Sequence, residues 1–367
     1  MIVGATGVFG SRLVDQLAVL GGVDLILAGR DAGKADVMLA DLRVRNIAAR
    51  FEAFDRNHPS TEKLKALAPR VIVDAAGPFQ KSSLALAEAA IAAGVHYIDL
   101  SDARDFVARI VSLDGAARKT GVAVISGASS TPALSHAVID HLTQGWQRID
   151  HILVAISPGN RAPRGLSVIK AILSYVGEPI AVFRGGAQTT AYGWSLNETV
   201  EIAGVGRRPV ALCETPDLDL LVTRYAPTVA AEFKAGLELG VMHHGLRLLG
   251  FLRARGFLPN LAIFSKPVKF LAGMLYWFGS DRGGMLVRVA GRNALDTPCT
   301  ATWSLAAEQG IGPIVPCLPA LALIERFAAG NLPEAGAYAA AGCVHHSEML
   351  SHFNRLGMKT HVSVELH

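Results

Sequence analysis

Charged residues and cysteines are scarce in this sequence. Only 18% of its 367 residues are charged, against 51% hydrophobic residues, and the net charge of +4 is not gathered into one block. Nothing in this charge pattern indicates a nucleic-acid partner. The four cysteines are scattered, with no Cys-x-x-Cys pair and no histidine at metal-ligand spacing. We therefore expect buried free thiols in a reducing compartment and no metal site.

Several catalytic and targeting patterns are also missing. The glycine-rich run near the start lacks the Gly-Lys-Ser/Thr ending of a P-loop. None of the six tyrosines is followed four residues later by lysine, so the proton-donor pair of short-chain dehydrogenases is absent. The adjacent pairs His243-His244 and His345-His346 diverge by about 100° on a helix and do not form a shared metal face. No signal-peptide pattern precedes residue 4, which predicts a cytoplasmic protein.

The feature that stands out is a Gly-x-x-Gly-x-x-Gly run between a strand-like stub, residues 1–3, and a helical pattern, residues 11–17. This spacing is typical of the turn with which a Rossmann domain binds a dinucleotide. The first glycine allows a tight turn, the second lets backbone N–H groups approach the pyrophosphate, and the third lets the helix pack close to the sheet. The predicted cofactor-binding residues here are Gly4, Ala5, Thr6, Gly7, Val8, Phe9 and Gly10.

An arginine ends the second predicted strand, residues 23–30. An acidic residue at this position would accept hydrogen bonds from the ribose 2′-hydroxyl of NAD, whereas an arginine suits the 2′-phosphate of NADP. Arg30, with Lys34 nearby, therefore favours NADP(H) over NAD(H), although Asp31 lies between them.

Strands and helices alternate through the first half of the chain, which predicts a doubly wound parallel sheet of the α/β class. The fourth predicted strand, residues 71–76, runs into small residues and a proline. Ligands of open α/β sheets collect at the carboxyl ends of strands, so this loop is expected to lie on the nicotinamide side of the cofactor. Its predicted binding residues are Ala76, Gly77, Pro78 and Phe79.

The periodicity changes near residue 150, and the chain length suits two domains. Residues 284–290 and 300–305 alternate as an antiparallel pair, and residues 314–329 read as a helix. We predict a Rossmann domain over 1–140 and an α+β substrate or dimerisation domain over 141–340. A C-terminal segment, 341–367, is predicted to pack back on the Rossmann domain.

Several motifs resemble, in order, those of the saccharopine dehydrogenase-like NAD(P)-binding proteins, a group related to trans-acting enoyl reductases. They are the glycine run, Ala28-Gly29-Arg30, the stretch from Val73 to Phe79, Tyr97-Ile98-Asp99-Leu100-Ser101 and the loop from Gly127 to Pro132. The resemblance is good over about the first 140 residues and holds only in outline beyond them. It implies a Rossmann domain, an α+β domain with a mixed or antiparallel sheet, a nicotinamide cofactor and hydride transfer between the two. It does not identify the substrate.

Hydride transfer needs a group that polarises or protonates the acceptor. Tyr97, Asp99 and Ser101 follow the fifth predicted strand, and His136 begins the helix after the sixth. We therefore take them as catalytic candidates. Each also has a structural alternative: a core tyrosine, helix caps and a buried histidine.

Residues 241–278 combine aromatic and aliphatic residues with five cations. No uncharged run in this segment approaches the roughly 20 residues needed to cross a bilayer. Two interpretations remain open: a helix lying on a membrane surface, or a helical hairpin that closes the domain or forms a homodimer interface, with its cations reaching out to water.

Together these patterns predict an NADP(H)-dependent oxidoreductase that acts on a C=N or C=C bond of a small molecule. The apolar segment favours a lipophilic substrate. A saccharopine-type substrate would instead require converging arginines, for which Arg161, Arg164, Arg184 and Arg224 are candidates. The competing interpretation is a dinucleotide-binding or membrane-associated scaffold without turnover.

Overall fold

The computed structural model describes residues 1–163 and 165–367, which form two compact units. The first unit comprises Met1–Leu134 and Pro313–Val344, and the second comprises Ser135–Gly312 and His345–His367. The chain therefore leaves the first unit, returns to it and leaves it again.

The strands, in chain order, are β1 (Ile2–Val3), β2 (Leu25–Gly29), β3 (Ala49–Ala53), β4 (Val71–Asp74), β5 (His96–Asp99), β6 (Ala123–Ser126), β7 (Arg148–Ser157), β8 (Pro179–Arg184), β9 (Ala187–Tyr192), β10 (Glu198–Ile202), β11 (Gly206–Leu212), β12 (Ala230–Gly236), β13 (Gly283–Arg292), β14 (Pro298–Ala307), β15 (Gly336–Ala339) and β16 (Lys359–Leu366).

The α-helices are α1 (Val8–Leu20), α2 (Ala32–Val44), α3 (Thr61–Leu67), α4 (Ala85–Ala93), α5 (Arg104–Ile110), α6 (Asp114–Thr120), α7 (Ser135–Leu142), α8 (Leu166–Tyr175), α9 (Asp217–Tyr225), α10 (Gly240–Ala254), α11 (Ser265–Met274), α12 (Leu318–Ala328) and α13 (His346–Arg355). Short 3-10 turns cover Val111–Leu113, Leu261–Phe264, Tyr276–Phe278 and Gly312–Cys317, and a π-helical turn covers Ser130–Leu134.

The first unit is built on a parallel sheet with the strand order β15-β6-β5-β4-β1-β2-β3. The order reverses direction between β1 and β4, which makes their carboxyl ends the topological switch point where ligands bind in such sheets. The strands are short, mostly buried apolar runs, as expected when helices cover both faces.

The second unit is built on a mixed sheet with β10-β11-β12-β7-β13-β14-β16 as its main path, while β8 pairs with β12 and β9. Strand β12 runs parallel to β7, and β13 runs antiparallel to it. The predicted antiparallel pair is present as β13 and β14. Its core includes the fully buried Ala155, Ile202, Val210 and Leu286.

The domain division differs from the predicted one. Residues Pro313–Val344 contribute α12 and β15 to the first unit, where β15 pairs with β6, although the sequence placed residues 313–340 in the second domain. Of the segment 341–367, predicted to pack on the Rossmann domain, residues 345–367 belong to the second unit. There β16 extends the sheet beside β14 over eight paired residues.

No helix within the described ranges is long and apolar enough to cross a membrane. The segment 241–278 forms most of α10, a 3-10 turn, α11 and a second 3-10 turn. It therefore contains two helices, and the choice between the two interpretations stays open at the level of the fold.

Cys213, Cys299 and Cys317 are buried, as predicted, whereas Cys343 is only half-buried. Burial raises the pKa of Cys317 to about 12, which makes this thiol unreactive near neutral pH.

Candidate functional site

The glycine run forms a tight turn at the switch point of the first sheet. Gly4 follows β1 with φ of +79°, a left-handed conformation that side chains disfavour, and its N–H donates to the carbonyl of Ala28 (2.8 Å). A Cβ on Gly4 would lie 2.8 Å from Ala76, the second residue after β4. The ends of β1 and β4 therefore approach more closely here than any larger residue allows.

The turn delivers the chain into the N-terminus of α1. Gly7 is the N-cap residue and is exposed, and the first turn of α1 contains no acidic residue. The N–H groups of the first turn have no acceptor within the helix and point towards any bound anion. Gly10 packs so closely on the turn that a Cβ there would lie 2.1 Å from the carbonyl oxygen of Gly4. The site can therefore hold a pyrophosphate on backbone N–H groups.

A cation stands at the carboxyl end of β2. Arg30 is exposed and forms no ion pair with the described residues. The neighbouring Asp31 caps α2 by accepting from the N–H of Lys34 (3.1 Å), and its carboxylate also pairs with the Lys34 ammonium (3.1 Å). These hydrogen bonds lower the pKa of Asp31. Lys34 and Asp31 thus form an ion pair with each other, and Arg30 remains available to bind a phosphate.

A buried ion pair shapes the loop after β4. Asp74, fully buried, lies 2.9 Å from the guanidinium of Arg56 and accepts from the N–H of Ala76 (3.0 Å). Arg56 also donates to the carbonyl of Ala76 (2.9 Å) and lies over the ring of Phe79, 4.7 Å from its centroid. The salt bridge between Arg56 and Asp74 therefore fixes the predicted nicotinamide-side loop, Ala76 to Phe79, through contacts with both of its ends.

Tyr97 is a core residue in this structure. It is 1% exposed, and its hydroxyl donates to Asp74 over 3.4 Å. Burial, together with the nearby carboxylates of Asp99 and Asp74, raises the pKa of Tyr97 well above its ordinary value. A hydroxyl with these surroundings is a poor proton donor near neutral pH.

Asp99 organises the next two loops at the same edge of the sheet. Its Oδ1 accepts from the N–H of Ser101 (2.9 Å), the N–H of Gly127 (2.8 Å) and the hydroxyl of Ser126 (3.0 Å). Its Oδ2 has no hydrogen-bond partner among the described residues. Burial raises the pKa of Asp99 to about 7, although the three hydrogen bonds oppose the change. Ser101 is also fully buried, and its hydroxyl accepts from the N–H of Ala103 (3.2 Å).

His136 belongs to the second unit and is fully buried. Its Nε2 lies 3.6 Å from Asp217, too far for a hydrogen bond, and its ring is 5.3 Å from that of Tyr225. Neither ring nitrogen has a hydrogen-bond partner among the described residues. Of the four catalytic candidates, the structure brings together Tyr97 and Asp99 on β5 and Ser101 in the loop after it, whereas His136 belongs to the other unit.

The arginines proposed for a polycarboxylate substrate have separate partners. Arg184 pairs with Glu232 (2.5 Å) and Arg224 with Asp140 (2.8 Å), whereas Arg161 approaches the carbonyl of Trp277 (3.5 Å). Arg164 lies outside the described residues. In the described part of the chain, no group of three or more His, Cys, Asp or Glu side chains is placed to hold a metal ion.

Arg56 and Asp74 are the site residues that the sequence pattern did not identify. Both stand at or just after the carboxyl end of a strand, β3 and β4, which is the available signal. The sequence does not reveal their pairing, because β1 and β2 lie between β4 and β3 in the sheet.

Residues 1–138 match the family model of the saccharopine dehydrogenase NADP binding domain. The match covers the part of the chain over which the sequence motifs resemble the same family, and it confirms that resemblance. No curated protein has a matching sequence.

Among solved structures, the chain is similar to apo saccharopine dehydrogenase (L-Glu forming) from Saccharomyces cerevisiae, with a TM-score of 0.71, 11% identity and 99% of each chain covered. It also matches a UDP-N-acetylglucosamine 3-dehydrogenase from Acidithiobacillus ferrooxidans, with a TM-score of 0.41 and 14% identity over 92% of this chain and 90% of the other. The likeness to the yeast protein shows a common fold and confirms the predicted α/β class with a second, mixed sheet.

Proposed function

We propose that this chain is an NADP(H)-dependent oxidoreductase that transfers a hydride to or from a C=N or C=C bond of a small molecule. The observation that carries the proposal is the glycine turn at the switch point, with the first turn of α1 on one side and unpaired Arg30 on the other. The family of the first 138 residues supports NADP as the nucleotide. The fold shared with a saccharopine dehydrogenase supports the reaction class.

The residues present suit such a cofactor. The N–H groups of Val8, Phe9 and Gly10 would bind the pyrophosphate, and Arg30 would bind the 2′-phosphate. Asp31, occupied in capping α2, is poorly placed to accept hydrogen bonds from a ribose. The loop from Ala76 to Phe79 would position the nicotinamide, which when bound supplies or accepts the hydride.

The proposed contribution of the first unit to catalysis is to position the loops around the reacting groups. Asp99 fixes the backbone at Ser101 and Gly127, and the pair Arg56–Asp74 fixes the backbone at Ala76. These contacts hold three consecutive loops at one edge of the sheet, where a reacting group needs a defined place. Ser101 and Tyr97 support these loops from the interior.

The proposed acceptor is lipophilic. Arg184 and Arg224 of the second unit are committed to ion pairs and do not offer a converging site for several carboxylates. The same unit exposes an unusually apolar segment, residues 241–278. An acceptor with one polar end and a long apolar part fits this distribution better than an amino acid does.

The first test is a titration with NADPH and NADH separately, followed by nicotinamide fluorescence, for the native protein and for Arg30→Ala. We expect tighter binding of NADPH, and a loss of at least about tenfold in NADPH affinity in the variant, with little change for NADH. Lys34→Ala tests the assisting cation, and Arg43→Ala, an exposed arginine on α2, is the matched control. Equal affinity for the two cofactors would contradict the assignment of Arg30.

A second function remains in competition because Tyr97, Asp99, Ser101 and His136 are all buried. A dinucleotide-binding scaffold without turnover would bind NADPH and leave it unoxidised with any acceptor. Acceptor-dependent loss of NADPH absorbance, tested with imines and with long-chain enoyl compounds, would exclude it. Binding of NADPH without oxidation in the presence of either class would favour the scaffold.

A further inference from the structure

The segment 241–278 concentrates the exposed apolar surface of the protein. It contains 12 of the 23 large hydrophobic side chains that are exposed in the described structure. Trp277 is 77% exposed and Phe270 is 73% exposed. Apolar exposure on this scale, contiguous in sequence, marks a surface that contacts something else.

Helix α10 faces the protein with one side only. His243, Leu246 and Gly250, spaced three and four residues apart, are its buried positions. Val241, Leu248 and Phe251 are exposed, and their spacing of seven and three residues places them on a common face. The helix thus presents an apolar stripe outwards, the reverse of an ordinary surface helix.

Helix α10 is also firmly attached to the second unit. The guanidinium of Arg253, largely buried, donates to the carbonyls of Ser174 (3.1 Å) and Val176 (2.8 Å) at the end of α8 and pairs with Glu178. A Cβ on Gly177 would lie 2.6 Å from the carbonyl oxygen of Gly250, so the two backbones are in contact. The outward stripe therefore belongs to a fixed helix.

The rest of the segment continues the pattern. In α11, Ser265 alone is buried among the residues that the structure describes. Phe270, Leu271 and Met274 are exposed, and the turn Tyr276–Phe278 adds three exposed aromatic side chains. Aromatic residues of this kind are typical of proteins that insert into the interfacial layer of a bilayer.

The charge of the segment has one sign. It contains no Asp or Glu, and four of its cations, Arg247, Arg255, Lys266 and Lys269, are exposed. None of these four forms an ion pair with any residue of the described ranges 1–163 and 165–367. A second copy of this chain, packed symmetrically on the segment, would bring these cations against one another without an acid of the segment to pair with them. An anionic surface would neutralise the four cations.

We propose that the segment 241–278 docks on an anionic lipid surface, with its aromatic and aliphatic side chains in the interfacial layer and its four exposed cations among the headgroups. Neither helix is long enough to cross the bilayer, so the contact is peripheral. Each cation near such a surface strengthens binding by about fivefold. This docking is independent of the proposed oxidoreductase activity.

The test is co-flotation of the full chain with vesicles of phosphatidylcholine alone and with vesicles that also contain phosphatidylglycerol. We expect binding to the anionic vesicles, weakened by salt. Lys266→Glu/Lys269→Glu should lower the affinity by at least about twentyfold, two charges being removed and reversed. Phe270→Ser/Phe278→Ser should lower the affinity for both kinds of vesicle, because the apolar contribution does not depend on the charge of the lipid. Lys359→Glu and Leu295→Ser, at exposed positions elsewhere in the second unit, are the controls.

Tryptophan fluorescence gives an independent measurement. Trp194 and Trp303 are buried and Trp146 is half-buried, whereas Trp277 is exposed. A blue shift on adding anionic vesicles should therefore disappear in Trp277→Phe and persist in Trp146→Phe. Equal flotation with both lipids, or none, would overturn the proposal. So would a dimer in light scattering that the segment variants convert to a monomer, because the segment would then bind a second copy of the chain.

Discussion

Glu238 accepts two hydrogen bonds from Ser280, one from its N–H (2.9 Å) and one from its hydroxyl (2.6 Å). The two residues flank the segment 241–278, one before α10 and one after the last 3-10 turn. Glu238 also accepts from the N–H of Asn160 (2.6 Å). Burial opposes ionisation here, yet these hydrogen bonds lower the pKa of Glu238. The Glu238 carboxylate thus connects the two ends of the exposed segment 241–278.

Glu238→Gln should weaken this connection between the two ends of the segment. The amide carries no charge and offers one acceptor oxygen instead of two, so hydrogen bonds to a charged group, worth about 1.5–3 kcal/mol each, are lost or weakened. We expect tryptic cleavage after Arg247, Arg255, Lys266 or Lys269 to accelerate. Glu308→Gln, which alters an exposed ion pair with Arg282 (3.3 Å), should leave the digestion pattern unchanged. Identical digestion of both variants would show that Glu238 does not hold the segment.

Gly10→Ala should disturb the dinucleotide turn. The added Cβ would overlap the carbonyl oxygen of Gly4, so α1 must move away from the turn, at a cost of about 1–3 kcal/mol. We expect weaker NADPH binding in fluorescence titration and a lower midpoint in urea. Gly115→Ala, in helix α6 with open space around it, is the control and should be neutral or stabilising. Unchanged NADPH affinity in Gly10→Ala would mean that the close packing does not serve the cofactor.

Tyr97→Phe should retain activity. The variant keeps the ring in the core and loses only a long hydrogen bond to Asp74, which remains paired with Arg56. The expected loss of stability is about 1 kcal/mol, with kcat within a few-fold of the native value once an acceptor is known. A loss in kcat of about a hundredfold or more would instead identify Tyr97 as the proton donor.

Asp99 should make the stability depend on pH. The folded pKa of about 7 lies above the value of about 3.9 in an unfolded chain, so between these values the folded protein binds more protons. The free energy of unfolding should therefore fall as pH rises from about 4 to about 7, by up to about 1.4 kcal/mol per pH unit. Asp99→Asn should abolish this contribution, as measured by urea denaturation at several pH values.

The comparison between the native protein and Asp99→Asn isolates this effect. Burial lowers the pKa of His243 and of His346 to about 4, so both groups destabilise the fold as pH falls below about 6.5. They act equally in the two proteins and cancel in the difference. A difference that does not vary with pH would show that Asp99 ionises normally.

The cofactor turn could be predicted from the sequence because its determinants are local. Gly4, Gly7 and Gly10 are neighbours in the chain, and the approach of Gly4 to Ala76 follows from adjacent parallel strands. The antiparallel pair β13 and β14 was likewise visible because its alternation is continuous on either side of one turn.

Other parts depend on distant contacts that leave no local pattern. Strand β15 has four residues and pairs with β6, more than 200 residues earlier, so its neighbours in sequence gave no reason to place it in the first sheet. Arg56 follows β3 and meets Asp74 at the end of β4, although β1 and β2 separate these two strands in the sheet. The burial of Tyr97 and His136, which bears on their catalytic role, is likewise decided by packing.

The late position of β15 has a consequence for synthesis. The first sheet ends at β6 until residues 336–339 have been made, so its edge stays unpaired while the more than 200 intervening residues are synthesised. Helix α12, which packs against α1, arrives equally late. Nascent chains are therefore exposed to strand addition from other molecules at β6, and a fragment ending near residue 138 would keep that open edge permanently.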